Sequence, residues 1–378
     1  MDFDLTAEQR KRYEEILTAV RERLGSRSPS SGPFTRAKWR SAARLGLAGL
    51  CIPADHGGGG LGALDTALCL EAFGRGCPDT GLVFAVSAHL LAGAVPIRDY
   101  AQAARRGPLL SGLANGDLIA ANAITEDDAG SDISRLAVTA RRDGDGYILN
   151  GDKSFASNAP DADIIVTYAT TSPRAGFLGI TGFAVPASTP GVIVSEPFAK
   201  MGLDGCLAGR VRFQECRIPE DYRLGREGQG AAIFQHSMGW ERACLFAAYL
   251  GLMEEQLERS VAHARGRRQF GRRIGDFQAV SHRIATMKQR LESSRLLLYR
   301  ACWMLDRQED HLEAAALSKV AVSESAVANS LDAIQIFGGS GYLTATGMEQ
   351  QLRDSVPAMI FSGTTEIQRE LVARTMGL

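Results

Sequence analysis

The sequence predicts an α+β protein, mostly α-helical, in which a domain of helices is followed by a domain of strands and then by a helical bundle. Two observations carry the prediction: the apolar period changes twice along the chain, and hairpin-forming residues are concentrated in its middle third. We expect an N-terminal α-helical domain over residues 1–121, a middle β-barrel or β-sandwich domain over 122–225 and a C-terminal four-helix bundle over 226–378. The length of the chain is consistent with three domains, since 378 residues at roughly 150 per domain make two or three packed units.

The N-terminal third has the apolar spacing of amphipathic helices, at Leu5, Ile16, Leu17, Val20 and Leu24. A loop is predicted at 26–33, where Ser, Pro and Gly are concentrated. The most membrane-like stretch, residues 81–97, contains Ser87 and His89 and is shorter than the roughly 20 apolar residues of a spanning helix. We therefore expect a buried helix there and no membrane association.

The middle third consists of short apolar runs separated by turns. The runs are AVTARR, YILNG, DIIVTYATT, GFLGITGFAVP, GVIVSE and GRVRF. DGDG and NGD supply the residue types of tight hairpin turns. This texture is typical of the strands of a small β domain.

Long helices return after Gly230. One apolar seam, with intervals of three, four and seven residues, runs through Phe277, Val280, Ile284, Met287, Leu291, Leu298 and Leu305. A second seam follows at Leu317, Val320, Val327, Leu331 and Ile334. Seams of this period are typical of the helices of an antiparallel bundle.

Composition and charge argue against several classes of protein. Lys plus Arg number 42 against 43 Asp plus Glu, so the basic excess typical of nucleic-acid binding is absent. The seven cysteines are never in CxxC spacing and the six histidines are scattered, so we expect neither a disulfide framework nor a metal site. No GxSxG or HExxH motif supports a hydrolase or a metalloprotease. The first residues lack a cationic start followed by an apolar run, so we expect no signal peptide and a cytoplasmic protein.

A glycine-rich segment, HGGGGLGALD, has Gly57, Gly59 and Gly62 in the GxGxxG spacing of dinucleotide-binding folds. That motif requires a preceding strand and a βαβ unit, whereas here the surroundings are helical and Pro53 interrupts the approach. We therefore expect a loop before a helix.

Three polar motifs are candidates for binding a heterocycle or a phosphate, and each has a plain structural alternative. ITEDDAGSD (124–132) offers hydroxyls and backbone N–H groups, but an acidic surface turn would look the same. KSFASNA (153–159) offers an aromatic ring and a hydroxyl, or is simply a strand end with a turn. RGRRQFGRR (265–273) offers arginine forks for phosphate and Phe270 for stacking, or is a solvated charged face.

Glu241 lies in an otherwise apolar helical segment, MGWERACLFAAYLG. Burying a carboxylate is costly unless it is paired or functional, and burial raises its pKa towards the range of a general base. Arg242 cannot face Glu241 in a regular helix, because adjacent side chains point about 100° apart. The residues alone leave a structural ion pair and a catalytic base equally open.

Two glycine-containing segments near the C-terminus, IFGGSGYL and IFSGTTEIQRE, stand where helices should end. Taken alone, they are typical of helix C-caps.

In combination, the order and separation of these motifs resemble the acyl-CoA dehydrogenase family of flavoproteins over nearly the whole chain. The matching segments are ITEDDAGSD, KSFASNA, RRQFG followed by Gln278, QIFGGSGY and FSGTTEIQRE. The resemblance implies the three-domain fold of that family, FAD held between the domains, and a homotetramer.

The resemblance also implies which residues hold FAD. The flavin pyrimidine would meet the backbone around Ile124 and Thr125, and Ser131 would lie near the pyrophosphate. Phe155 would lie against the flavin ring and Ser157 near N5, where the family more often has Trp and Thr. Contacts to the FAD of a neighbouring subunit would come from Arg267, Phe270, Gln278, Gln335, Gly338 and Gly339, and contacts from the last helix would come from Thr364 and Glu366.

The catalytic base that the resemblance implies is Glu241. In the common family pattern a Glu immediately precedes the Gly-Thr of the C-terminal motif, but that position is Ser362 here, and serine cannot take a Cα proton. Glu241 matches the alternative base position of the isovaleryl and long-chain branches, where Glu precedes Arg on the first bundle helix. The implied substrate contacts are Ser131, Arg242, Ser362 and Gly363.

Four longer segments look like a narrower branch, the L-prolyl-carrier-protein dehydrogenases of pyrrole-forming natural-product pathways: SMGWERACLFAA, NAITEDDAGSD, KSFASNAPDADIIVTYATT and QAVSHRIATMKQRLES. This implies oxidation of a prolyl thioester, carried on the phosphopantetheine arm of a carrier protein, to the pyrrole-2-carboxyl thioester. The alternatives are a branched- or short-chain acyl-CoA dehydrogenase of the isovaleryl type, a flavin monooxygenase and a non-catalytic scaffold. The final electron acceptor, oxygen or an electron-transfer flavoprotein, stays open.

Overall fold

The structure, a computed structural model, describes residues 4–26 and 34–378, so the loop predicted at 26–33 lies outside it apart from Ser26. The N-terminal helices are α1 (Ala7–Leu24), α2 (Arg36–Arg44), α3 (Ala63–Gly76), α4 (Thr80–Ala88), α5 (Val95–Tyr100) and α6 (Ala103–Asn115). Thr6 caps α1, because its hydroxyl accepts from the Gln9 N–H. Leu17 and Val20 are buried in α1, as the apolar spacing predicts.

A π-helical turn at His89–Ala94 joins α4 to α5 in one continuous apolar segment. By length and composition Thr80–Tyr100 is able to cross a membrane, yet 94% of its most apolar window is buried inside the protein. The segment is therefore a core helix of the N-terminal domain, as predicted for 81–97.

The glycine-rich segment forms the predicted turn before a helix, and it follows a short 3₁₀ turn, Ala54–His56. At the start of α3 the N–H groups of Ala63 and Leu64 donate to Asp306, at 2.5 and 3.0 Å. A Cβ at Gly62 would lie 2.6 Å from the same carboxylate. Asp306 thus occupies the helix N-terminus where a dinucleotide motif would hold a phosphate.

The middle domain is one mixed sheet. Its strands are β1 (Ala120–Ala123), β2 (Thr139–Asp143), β3 (Gly146–Ser157), β4 (Ile164–Thr170), β5 (Ile180–Pro186), β6 (Val192–Val194), β7 (Ala208–Pro219) and β8 (Arg223–Leu224). The order is β6-β7-β3-β1-β4-β5-β8, and β2 pairs with both β3 and β4. Because β1 and β2 each bridge β3 and β4, these four strands close into a barrel-like ring around a small apolar core.

The C-terminal helices are α7 (Gly230–Trp240), α8 (Ala247–Gly266), α9 (Gln278–Asp306), α10 (Leu312–Phe337), α11 (Met348–Ser355) and α12 (Thr365–Thr375). A second π-helical turn, Glu241–Leu245, joins α7 to α8, and a short hairpin of β9 (Arg268–Gln269) and β10 (Arg272–Arg273) separates α8 from α9. Met287, Leu291 and Leu298 of the predicted seam are buried. The order of helices, sheet and bundle confirms the predicted fold class.

The N-terminal domain is locked to the bundle where α3 crosses α8. A Cβ at Gly74 would lie 2.0 Å from the backbone of α8, and one at Gly251 would lie 2.1 Å from the Glu71 carbonyl oxygen. Buried Glu71 also accepts hydrogen bonds from Arg295 Nη2 (2.9 Å) and Tyr299 Oη (2.8 Å) of α9. These contacts fix α8, and with it the π-helical turn that precedes it.

Candidate active site

A buried carboxylate lies where α7 meets α8. Glu241 is the first residue of the π-helical turn Glu241–Leu245 and is only 7% exposed. This turn contacts the other π-helical turn, His89–Ala94, of the N-terminal domain. π-helical turns are rare and frequently occur at functional sites, so the contact between two of them makes this part of the interior a candidate functional site.

Glu241 has a hydroxyl partner from the far end of the chain. Ser362 Oγ donates a hydrogen bond to Glu241 Oε1. Burial raises the pKa of the Glu241 carboxyl, while the Ser362 hydrogen bond and the Arg242 charge lower it and only partly offset burial. A carboxylate with a raised pKa is suited to accept a proton from carbon.

The backbone at Ser362 and Gly363 lies in the left-handed region, with φ of 57° and 85°. Arg242 Nε donates to the Ser362 carbonyl oxygen at 3.0 Å, and Gln368 Nε2 donates to both carbonyl oxygens at 3.1 Å. A Cβ at Gly363 would lie 2.6 Å from Gln368 Nε2, so glycine is required there. The structure thus brings Glu241, Arg242, Ser362 and Gly363 together.

Aromatic rings hold the segment that carries Ser362. The centroid of the Phe361 ring lies 4.7 Å from that of Phe84 and 5.4 Å from that of Phe246. Phe84 belongs to α4 and Phe246 precedes α8, so three parts of the fold meet around Phe361. This packing surrounds the carboxylate site with apolar surface.

Two of the candidate cofactor motifs meet at the edge of the sheet. Ile124 and Thr125 follow β1, while Phe155 and Ser157 lie at the end of β3. The Ser154 N–H donates to the Thr125 carbonyl oxygen at 2.7 Å. Phe155 has a φ of 56° and its residue is 66% exposed, so its ring is presented outward beside the loop.

A buried ion pair supports this edge. Lys153 Nζ donates to Glu126 Oε1 at 2.7 Å and to the Ile124 carbonyl oxygen at 3.0 Å. Glu126 also accepts the Ala137 and Val138 N–H groups. Burial, partly offset by Glu126, lowers the pKa of Lys153 to about 8. The sequence analysis missed this pair, although both residues lie within the motifs it singled out.

Ser131 is exposed on the loop that follows Thr125. Within residues 4–26 and 34–378 no hydrogen bond joins it to Glu241 or Arg242. Its predicted contacts with FAD and substrate therefore remain predictions.

A second group of predicted cofactor residues lies on the outside of the bundle. The Arg267 N–H donates to the His263 carbonyl oxygen at 2.8 Å, and the His263 ring stacks on Phe337 with centroids 4.3 Å apart. This stacking brings the arginine-rich hairpin beside the end of α10. The exposed members of the group are Arg267, Phe270, Gln278, Gln335, Gly338 and Gly339. In the described part of the chain no hydrogen bond or ring contact joins them to Phe155 or Ser157.

Thr364 and Glu366 begin the last helix. Thr364 caps α12, since its hydroxyl accepts from the Ile367 N–H at 3.4 Å, and Glu366 is exposed in the first turn. Thr364 directly follows Gly363, so the helix starts at the carboxylate site.

The residues present fit FAD. A flavin needs an aromatic or apolar wall, open backbone for its polar edge and cations for its pyrophosphate. Phe155 supplies an exposed ring, and Phe270, 93% exposed, supplies another among arginines. A Cβ added at Gly338 or Gly339 would meet no atom within 4 Å, so the backbone there is open to a ligand.

Three further residues near Glu241 and Ser362 were not predicted as site residues from the sequence. Gln368 holds the Ser362 backbone, and Phe361 packs it against two helices; only their place in the IFSGTTEIQRE segment would have drawn attention to them. Tyr168 of β4 is buried with its ring 5.6 Å from Phe234, and its hydroxyl has no hydrogen-bond partner in the described residues. Burial, followed by the Glu241 charge, raises the pKa of Tyr168. A tyrosine inside an apolar strand gives no sequence signal.

Models of three protein-family domains match the chain in sequence order. They are the acyl-CoA dehydrogenase N-terminal domain at residues 6–117, the middle domain at 121–216 and the C-terminal domain at 228–377. The chain therefore belongs to the acyl-CoA dehydrogenase family.

Within the family, the chain is similar to proteins whose descriptions name a prolyl carrier protein or proline. An L-prolyl-(peptidyl-carrier protein) dehydrogenase of Pseudomonas fluorescens is 54% identical, with 100% of both chains covered. A structure described as PigA with FAD and proline is 43% identical, has a TM-score of 0.97 and covers 100% of both chains. The prolyl acyl carrier protein oxidase AnaB is 39% identical with a TM-score of 0.97, covering 99% of this chain and 100% of the other.

Proposed function

We propose that this chain is an FAD-dependent dehydrogenase that oxidises an L-prolyl thioester, carried by a phosphopantetheine-bearing carrier protein, to the pyrrole-2-carboxyl thioester. The observation that carries the proposal is the burial of the Glu241 carboxylate against the Ser362 hydroxyl, which supports a role for Glu241 as the catalytic base. The full-length similarity to a prolyl-carrier dehydrogenase supports the choice of substrate.

Glu241 would remove the Cα proton of the substrate. A thioester carbonyl makes that proton acidic. Burial raises the pKa of the Glu241 carboxyl, so the difference in pKa between this base and the Cα–H acid becomes smaller. Arg242 donates a hydrogen bond to the Ser362 carbonyl oxygen and would thereby hold the Ser362–Gly363 segment in place. When bound, FAD would supply the acceptor of the β hydride.

The prolyl ring accounts for two oxidations in sequence. Loss of the Cα proton and a β hydride leaves an unsaturated ring, which can tautomerise to present a second oxidisable bond. Loss of a second proton and hydride gives the aromatic pyrrole, so four hydrogens leave in all, and aromatisation makes the sequence effectively irreversible. A molecular oxygen acceptor is supported by the description of AnaB as an oxidase.

The predicted residue roles form part of this proposal. Ile124, Thr125, Phe155, Ser157, Thr364 and Glu366 would hold FAD from one subunit, with Ser131 near the pyrophosphate and the substrate. The exposed group on the bundle would contact the FAD of a neighbouring subunit in a homotetramer: Arg267, Phe270, Gln278, Gln335, Gly338 and Gly339. Cytoplasmic location and the domain boundaries at 121/122 and 225/226 complete the proposal.

The test is mass analysis of a prolyl carrier-protein thioester after incubation with the FAD-loaded enzyme in air. We expect a loss of four hydrogens, with Glu241→Gln enzyme leaving the mass unchanged. An unchanged prolyl thioester, together with flavin bleaching by isovaleryl-CoA, would instead identify a branched-chain acyl-CoA dehydrogenase. A product short of two hydrogens would retain the substrate and overturn the second oxidation.

A further inference from the structure

We propose that Ser362 is a positioning residue for the base: its hydroxyl orients the Glu241 carboxylate and stabilises the charged form in which that carboxylate accepts a proton. The inference rests on the proposed function and assigns Ser362 a role other than substrate contact. Serine stands where the common family pattern has the base itself, and it faces the base that this chain uses instead.

The contact is buried at both ends. Ser362 is 8% exposed and Glu241 7%, and the Ser362 Oγ donates to Glu241 Oε1. In the described residues no hydrogen bond is made to the other carboxylate oxygen, Oε2. Ser362 therefore holds one oxygen of the carboxylate, and the proposal leaves the other to accept the proton.

The hydroxyl is itself held in place from two sides. Its backbone lies at φ 57°, a conformation that costs free energy for a residue with a Cβ, and it is held there by Arg242 Nε and Gln368 Nε2 on the Ser362 carbonyl oxygen. Strain that surrounding groups maintain at one residue is typical of functional positions. These contacts aim the hydroxyl at Glu241 before any substrate binds.

The titratable groups near Glu241 come from its own turn, from the sheet and from α10. Arg242 of the same turn and the Ser362 hydroxyl both lower the carboxyl pKa, against burial. Tyr168 of the sheet stays uncharged over the pH range of the test described below, because burial raises the pKa of its hydroxyl. From α10, Lys319 lies close enough to Arg242 for the two charges to interact, and its Nζ donates to the Met359 carbonyl oxygen at 3.2 Å. Ser362 is therefore the uncharged group whose removal should act on Glu241 most directly.

The test compares two variants that remove the hydroxyl, Ser362→Ala and Ser362→Gly. Glycine tolerates the left-handed backbone, so agreement between the two variants separates loss of the hydroxyl from backbone strain. Ser237→Ala is the matched control, because Ser237 is a buried serine one turn before Glu241 whose hydroxyl donates to the Leu91 carbonyl oxygen at 3.1 Å.

The readout is the rate of anaerobic flavin reduction by the prolyl carrier-protein thioester as a function of pH. We expect both Ser362 variants to move the acidic limb of the profile upward by about one pH unit, since a hydrogen bond to a charged group favours the charged form. The Ser237→Ala profile should match that of the unmodified enzyme. An unshifted limb with a rate lowered equally at every pH would overturn the inference and leave Ser362 a merely structural residue.

A second readout does not depend on turnover. Infrared difference spectra between acidic and alkaline pH report the protonated carboxyl band of Glu241, which Glu241→Gln identifies by its loss. We expect the band to persist to higher pH in both Ser362 variants, and an unchanged titration would overturn the inference. If unmodified enzyme fails to reduce its flavin with the prolyl thioester, the proposed function fails, while the infrared titration still decides the role of Ser362.

Discussion

At the scale of single residues, the site depends on one carboxylate kept in apolar surroundings. In the described residues the hydrogen-bond partner of the Glu241 carboxylate is a neutral hydroxyl, that of Ser362. A close ion pair would hold the carboxylate charged and weaken it as a base. A neutral donor orients the group and leaves its pKa high.

Replacing Glu241 with Gln keeps the size of the side chain and removes its ability to take a proton. We expect FAD to stay bound while substrate-driven flavin bleaching slows by about 10²–10⁴-fold, the usual contribution of a positioned base. Stopped-flow absorbance at the flavin band measures this. Full activity of Glu241→Gln enzyme would show that another group is the base.

Asp354 of α11 provides a prediction about stability. It accepts the Leu203 N–H at 2.6 Å, its second oxygen has no partner in the described residues, and burial raises its pKa to about 7. An unfolded chain releases this proton near pH 4, so the stabilising contribution of the protonated group is complete below about pH 4 and is lost as the pH rises through 7.

We therefore expect Asp354→Asn to raise the thermal unfolding midpoint at pH 8 relative to the unmodified protein and to leave it nearly unchanged at pH 4.5. Differential scanning calorimetry at both pH values measures the difference, with exposed Asp55→Asn as the control. A midpoint difference that does not change with pH would contradict the raised pKa.

At the scale of elements, the arginine-rich hairpin of β9 and β10 carries its charges on the outside of the bundle. Arg265, Arg267, Arg268 and Arg272 are exposed, and Arg272 lies 3.9 Å from the centroid of the Phe277 ring. An exposed aromatic and cationic surface of this kind has the chemistry to bind the base and the phosphates of a nucleotide.

We expect Arg267→Glu to lower the FAD content of the purified protein several-fold and to shift its assembly towards smaller species. Flavin absorbance per protein and light scattering after gel filtration measure the two effects. Arg141→Glu, a charge reversal at an exposed arginine of β2, is the control and should retain FAD. Equal flavin content in both variants would contradict the placement of the cofactor across subunits.

At the scale of the whole molecule, exposed apolar side chains are concentrated on the bundle and near the C-terminus: Leu296, Trp303, Leu331, Tyr342, Leu343, Ile360 and Met376. Exposed apolar side chains on one domain are where a contact between subunits of the proposed homotetramer would be sought. For the proposed homotetramer, we expect Leu331→Glu to cause dissociation, as measured by analytical ultracentrifugation, while Phe177→Glu in the exposed segment before β5 should not. An unchanged sedimentation coefficient for Leu331→Glu would remove α10 from the interface.

The sequence predicts much of this fold because its periods are clear. The apolar seam of α9 and the hairpin residues around β2 and β3 appear directly in the order of the residues. Contacts between distant segments leave no such local pattern, and so Asp306 at the start of α3, Gln368 on the Ser362 carbonyl and the Lys153 to Glu126 pair all went unpredicted. Glu241 itself stood out only because a charge in an apolar run is costly.

The turn at Glu241–Leu245 gives the site an unusual sensitivity to deletion. In a π-helical turn the hydrogen bonds span five residues and not four, so the turn contains one residue more than a regular helix would use there. Loss of a single codon inside the turn would remove that extra residue and join α7 to α8 as one regular helix, with the later side chains of α8 still in register. Gly251 would keep its contact with α3, but the residues of the turn, Glu241 first among them, would change their direction relative to Ser362 or be lost. Among related genes, this segment should therefore tolerate substitution far better than a change of length.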